Sequence, residues 1–224
     1  MALILNIETA TKNCSVSLAE AGNLIAFREL NNEQYTHAEK LHVFIKELIE
    51  EAQIEFSDLK AVAIGKGPGS YTGLRIGVSA AKGLCYSLDI PLISIFTLES
   101  LAHAIEVEKG AAIVPMLDAR RMEVYAAVFN DSYKQIRETK AEIIDENSFR
   151  KFLERSTVYF LGDGAEKCTD MIDHENAVFL KDHFPSSKEM AVLSFVRFTN
   201  SEFEDVAYFE PYYLKDFIVT KKKA

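Results

Sequence analysis

At 224 residues and 48% hydrophobic content, the chain is long enough for one sizeable domain or two small ones, and too apolar to be disordered. Its 34 acidic against 25 basic residues give a net charge of −9, so the surface as a whole offers nucleic acid no attractive field. Cys14, Cys85 and Cys168 lie too far apart for a CxxC motif, and their odd number argues against a disulfide framework.

The stretch MALILNIETA has an apolar run only from Ala2 to Leu5, no basic flank and an acid at Glu8, so it does not read as a signal peptide. No run reaches the ~18 apolar residues of a membrane span, and the expected address is the cytoplasm. LILNI (3–7), CSVSLA (14–19) and LIAFREL (24–30) read as three strands of an antiparallel meander. A helix follows over about 37–52, where Leu41, Ile45, Leu48 and Ala52 recur at steps of four and three and Phe44 and Ile49 widen the stripe. AVAIG (61–65) reads as a buried strand, 72–88 as a second helix, and PLISIF (91–96) as another buried strand.

The second half repeats the recipe. TLESLAHAIE (97–106) opens it as a helix, AAIVPML (111–117) ends at Asp118 as LILNI ends at Glu8, and EVYAAVF and YKQIRETKAEII follow as strands. A helix near 146–155, the strand VYFLG, a turn at Gly162-Asp163-Gly164, another helix and the strand AVFL complete a second βββαβαβ unit. The expected division is a first lobe over 1–97 and a second over 98–224. Two such lobes imply a cleft at the carboxyl ends of the strands, where Glu8, Asp118 and both glycine turns fall.

Six of the ten glycines sit in AIGKGPGSYTGLRIGVSAAKG, residues 63–83. GxxxxGK[ST] is absent, and Gly67, Gly69 and Gly73 are spaced one residue too long for GxGxxG. Two readings remain: amides at the helix start that hold a phosphate, or a tight turn with Pro68 fixing one angle and Gly67 or Gly69 supplying positive φ. In the helix beyond, Leu74, Val78, Ala81, Cys85 and Leu88 form one stripe and Gly73, Gly77, Ala80 and Leu84 an adjacent one. Two apolar faces fit either a core closed within the chain or a helical surface offered to a partner or a second copy.

Catalytic candidates are few. His37 and His42 are five apart, about 140° around a helix, whereas HExxH uses i and i+4 on one face. No GxSxG or cysteine–histidine signature supplies a nucleophile. Glu8 and Asp118 are the carboxylates that duplication brings face to face, Arg120 and Arg121 can clamp an anion, and Lys221 to Lys223 form a basic tail. No catalytic residue and no metal ligand are assigned.

ILNIETATKNCSVSL, HAEKLHVFI, GKGPGSYTGLRIGVSAAKGLCYSLDIPLISIFTLESLA, VPMLDARRMEVYAAVF, LGDG and PYYL resemble, in order, the motifs of the bacterial TsaB (YeaZ) family. The resemblance spans nearly the whole chain, with GPGSYTGLRIG and DARRMEVY its most specific blocks. Glu8 stands where that family usually has aspartate, and Lys215 where it usually has arginine.

The resemblance implies an α/β, two-lobed actin-like ATPase fold (ASKHA, RNase H-like). It implies a non-catalytic dimerisation subunit, required when a threonylcarbamoyl group is placed on N6 of adenosine 37 in tRNAs reading codons that start with A. The partners implied are the catalytic paralogue TsaD, the ATPase TsaE, and a second copy when TsaD is absent, with tRNA met only indirectly. ATP or ADP is expected only in complex with partners. The implied partner surface is the first two helices of the amino-terminal lobe: here Leu41, Phe44, Ile45 and Leu48, then Gly73, Leu74, Gly77, Val78 and Ala81. Gly77→Leu or Val78→Asp is then expected to abolish partner binding in a folded monomer. The implied nucleotide-proximal cleft comprises Glu8, Thr9 and Thr11; Gly67, Gly69, Ser70 and Thr72; and Asp118, Arg120, Gly162 and Asp163. The alternative is an autonomous small phosphotransferase of the acetate- or sugar-kinase type, working in that cleft; a peptidase lacks a visible metal site or nucleophile.

Overall fold

A computed structural model describes residues 2–31 and 37–215; the lysines Lys221 to Lys223 lie outside them. Strands β1 (Leu3–Glu8), β2 (Asn13–Glu20) and β3 (Asn23–Asn31) form the expected meander, followed by α1 (His37–Glu51), β4 (Ala61–Gly65), α2 (Tyr71–Leu88) and β5 (Leu92–Ile95). They make one sheet in the order β3-β2-β1-β4-β5, with β4 parallel to both β1 and β5. The second half supplies α3 (Thr97–Ala102), β6 (Ala112–Asp118), β7 (Glu123–Asn130), β8 (Gln135–Ile143), α4 (Arg150–Leu153), β9 (Val158–Leu161) and β10 (Ala177–Leu180). Its sheet runs β8-β7-β6-β9-β10, the same topology as the first.

β1 is buried along its whole length because both sheet faces are covered. Leu3, Leu5 and Ile7 face α1 and α2, packing with Leu41, Ile45, Leu48, Val78 and Cys85. Ile4, with Ala61, Ala63, Ile93 and Ile95, faces the other way onto α5 (Met190–Thr199), where Met190 is buried and Leu193 and Phe198 pack around it. Leu98, Leu101 and Ala102 of α3 cover one face of the second sheet, while Phe149, Leu153 and Ile172 cover the other.

Four expectations need amending. The helix at 97–106 stops at Ala102, where His103 N and Ala104 N bond three residues back, to Ser100 O and Leu101 O. The helix at 146–155 shrinks to Arg150–Leu153, because Asp145 and Ser148 close a side-chain turn and Phe149 takes a left-handed conformation. After Gly164 there is only a 3-10 turn, Glu166–Cys168, again with three-residue bonds such as Thr169 N to Glu166 O. Finally, residues 98–224 do not all stay with the second sheet: α5 lies on the first, and Asn13 and Ser17 donate to Pro185 O and Ser187 O just before it. Its sequence, MAVLSFVRFT, is apolar nearly all round, so no stripe announces it.

Candidate functional site

Thr11, Gly69, Ser70 and Thr72 from the first lobe and Asp118, Arg120 and Asp163 from the second line a cleft of about 390 Å³. On the first-lobe wall, Gly67 takes φ +103° and Ser70 caps α2, its hydroxyl accepting from Gly73 N at 3.3 Å. Positive φ falls on Gly67 and not on Gly69. The helix N-terminus therefore opens into the cleft with Ser70 and Thr72 beside it.

The second-lobe wall is the β6–β7 turn. Arg120 and Arg121 both hold left-handed φ, 69° and 55°. Asp118 Oδ1 accepts from Arg120 N at 2.9 Å, and Asp163 Oδ1 accepts from Asp118 N at 3.0 Å. Lys167 pairs with Asp118 and donates to Arg121 O and Glu123 O, both at 2.7 Å, so the Asp118 charge is already met. Burial, helped by the neighbouring Asp118 charge, pushes the Asp163 carboxyl up. Tyr125 ends the DARRMEVY block and Tyr212 and Tyr213 belong to PYYL, yet sequence reading did not place them in the cleft; Lys167 carries no motif at all.

Glu8, Thr9, Gly67 and Gly162 do not line the cleft. Glu8 is fully buried: its carboxylate accepts from Ala10 N at 2.7 Å and Thr97 Oγ1 at 3.2 Å, and a Cβ on Gly65 would collide with it. It therefore does not face Asp118 across the cleft as the duplication suggested. Thr9 donates to Gly73 O at 2.9 Å, and Gly162 presses on Met116 O. His37 is buried with Nε2 2.7 Å from Thr11 O, while His42 is exposed on the outer side of α1. Among the described residues no group of three His, Cys, Asp or Glu is placed to hold a metal ion.

Burial pushes Glu8 up to about 7, outweighing the bonds from Ala10, Thr97 and Thr9 that favour its charged form. Unfolded, it titrates at 4.5, so between 4.5 and about 7 the native chain holds a proton that the unfolded chain has released. Stability thus falls as pH rises through that window, by about 3 kcal/mol for a shift of this size. Glu189, also raised to about 7 by burial, acts in the same direction. Glu8→Gln is expected to remove roughly half of the combined fall, measured by urea denaturation at pH 5 and 7.5; a wild-type slope in the variant would refute the assignment.

The surface expected to meet a partner is turned inward. Leu41, Ile45, Leu48, Leu74, Val78 and Ala81 are buried within the chain, and Phe44 packs half-buried against them. Gly73 and Gly77 lie against Thr9, where an added Cβ would strike Thr9 O and Thr9 Oγ1. Each helix carries apolar residues on both sides and the sheet takes the fuller face, so the residues expected to meet a partner are ones the chain itself covers. The outer faces of α1 and α2 enclose a second, open groove of about 680 Å³. Its floor is Ile76, Ala80, Gly83 and Leu84, and His42 and Arg75 stand on its rim.

A family model described as "TsaD: tRNA N6-adenosine threonylcarbamoyltransferase" matches residues 31–219. The "tRNA threonylcarbamoyladenosine biosynthesis protein TsaB" of Escherichia coli (strain K12) is 31% identical over 230 residues, 98% of this chain and 97% of that one. The chain belongs to the TsaB (YeaZ) family. The TsaB protein of Bacillus subtilis (strain 168) is 36% identical over 131 residues, 56% of this chain and 54% of that one. Among solved structures, YeaZ from Pseudomonas aeruginosa superposes with a TM-score of 0.82 at 23% identity, covering 96% of this chain and all of that one. The ethanolamine utilization protein EutJ from Carboxydothermus hydrogenoformans gives 0.50 at 10% identity, covering 85% and 89%. These likenesses concern the fold, and the chain has the two lobes that its duplicated pattern implied and the actin-like architecture that the family resemblance implied. No helix among its described residues is long and apolar enough to cross a membrane.

Proposed function

We propose that this chain is a non-catalytic subunit of the machinery that makes threonylcarbamoyladenosine in tRNA, docking its catalytic paralogue of the TsaD family through the outer groove of α1 and α2. The observation that carries the reading is that groove: about 680 Å³, apolar-floored, and left open by the chain's own packing. Membership of a family whose relatives are named for threonylcarbamoyladenosine biosynthesis supports the pathway. The same groove serves a second copy of the chain when the paralogue is absent, an isologous arrangement. TsaE joins the assembled complex, and ATP or ADP is held only there. With a net charge of −9, the chain leaves tRNA to its partners, in the cytoplasm.

The test is a reconstitution with tRNA, threonine, bicarbonate, ATP and the other modification enzymes, with and without this chain, scored by mass spectrometry for threonylcarbamoyladenosine. Product is expected only when the chain is present, and none from the chain alone. Equal product without it would overturn the reading and turn attention to ATP turnover by the isolated chain, the signature of a phosphotransferase working in the cleft.

A further inference from the structure

Residues 204–215 run back over the first lobe as a strap. Glu204 N donates to Leu92 O at 2.9 Å, and Lys82 of α2 donates from Nζ to Ala207 O and Phe209 O, each at 3.0 Å. Tyr212 N donates to Lys66 O at 2.7 Å, and its ring meets Phe96 edge-on with centroids 5.4 Å apart. The last described residues then divide their attachments. Tyr213 packs on Tyr71, ring centroids 5.2 Å apart, and its hydroxyl accepts from Arg75 Nε at 3.1 Å. Lys215 reaches across the cleft to pair with Glu123 of the second lobe. Arg75 also stands 4.3 Å from the centre of the Tyr71 ring. Tyr71 and Thr72 line both the groove and the cleft, so the Arg75–Tyr71–Tyr213 cluster is the wall between them.

We infer that this cluster is a latch through which occupancy of the groove opens the cleft, a coupling that rests on the docking proposed above. The occupant it fits is a partner helix with an apolar face and one carboxylate. Apolar residues floor the groove, His42 and Arg75 are its basic side chains, and no acid is among the described residues lining it. Arg75's present hydrogen-bond acceptor is a neutral phenol. A carboxylate offers a charge-assisted, two-pronged alternative about twice as strong as a neutral bond. Once the guanidinium moves to the partner, Tyr213 keeps only its ring contact with Tyr71 on α2, and the segment leading to the Lys215–Glu123 pair is held less firmly.

The chain contains no tryptophan, so Tyr125→Trp places a single reporter on the far wall of the cleft. Adding Arg75→Ala to the reporter chain is expected to raise acrylamide quenching about twofold and backbone hydrogen exchange over 212–215 about tenfold, with circular dichroism unchanged. Exchange measured on Arg75→Ala without the reporter covers the case in which Tyr125→Trp perturbs folding. Adding the catalytic paralogue to the reporter chain is expected to raise quenching to the same level, and to change nothing further once Arg75→Ala is present. Quenching and exchange unaffected by Arg75→Ala would overturn the latch, as would binding of the paralogue with quenching unchanged. Whether the paralogue binds at all is read separately by sedimentation; a failure there removes the docking proposal and with it the coupling, while the Arg75→Ala result still decides whether Arg75 holds the strap closed.

Discussion

Gly77→Leu is expected to unfold the protein rather than to free a folded monomer from its partner. An added Cβ at Gly77 would collide with Thr9 Oγ1 and stand 3.0 Å from Ile64 Cδ1. Thr9 cannot step aside: it is fully buried and its hydroxyl is bonded to Gly73 O in the same helix. Gly73, one turn earlier, meets Thr9 O in the same way, so the two glycines let α2 lie directly on the turn after β1. Overpacking plus loss of the Thr9 bond costs about 4 kcal/mol or more, a large share of the 5–15 kcal/mol that holds a typical domain together. Urea denaturation and circular dichroism measure it. A variant with wild-type stability and no partner binding would return Gly77 to the interface.

Gly83→Arg should do the reverse, stabilising the chain while closing the groove. Nothing lies within 4 Å of a Cβ built on Gly83, and the residue is on the groove floor. Replacing a mid-helix glycine with a good helix former gains about 0.5–1 kcal/mol, or a few degrees in melting temperature for a chain of this size. The long charged side chain fills an apolar floor that a partner must desolvate, so affinity for the paralogue is expected to fall on the order of 100-fold. Tyr86→Ala, at an exposed α2 position outside the groove lining, serves as the control and should bind normally. Titration calorimetry alongside thermal melting reads both effects. Unchanged affinity in Gly83→Arg would place the docking surface elsewhere.

The strands of both lobes were legible because their patterns are local: alternating or continuous apolar runs bounded by turn residues, with AVAIG at Ala61–Gly65 and AVFL at Ala177–Leu180 bounded to the residue. The helices of the second lobe were not. The turn bonds made by Asp145, Ser148 and Glu166 compete with helix geometry in ways that hydrophobic spacing does not record. The apolar stripes of α1 and α2 were legible, but not what covers them. A stripe at helical spacing marks residues that seek burial, but not whether a sheet within the chain or a separate chain buries them. Glu8 shows the same limit from the other side. Its place at a strand end suggested a cleft carboxylate, but the side of a strand on which a residue points depends on register, and here it points beneath Gly65 and Thr97.

The return of α5 to the first sheet has a consequence for synthesis. Ile4, Ala63, Ile93 and Ile95 are translated early, yet Met190 and the side chains around it, which cover them, come some hundred residues later. At roughly 5–20 residues per second, that apolar face waits on the order of 5–20 seconds on the ribosome without its lid. The first lobe is begun first but finished last, and for that interval the nascent chain depends on whatever shields an uncovered sheet in the cell.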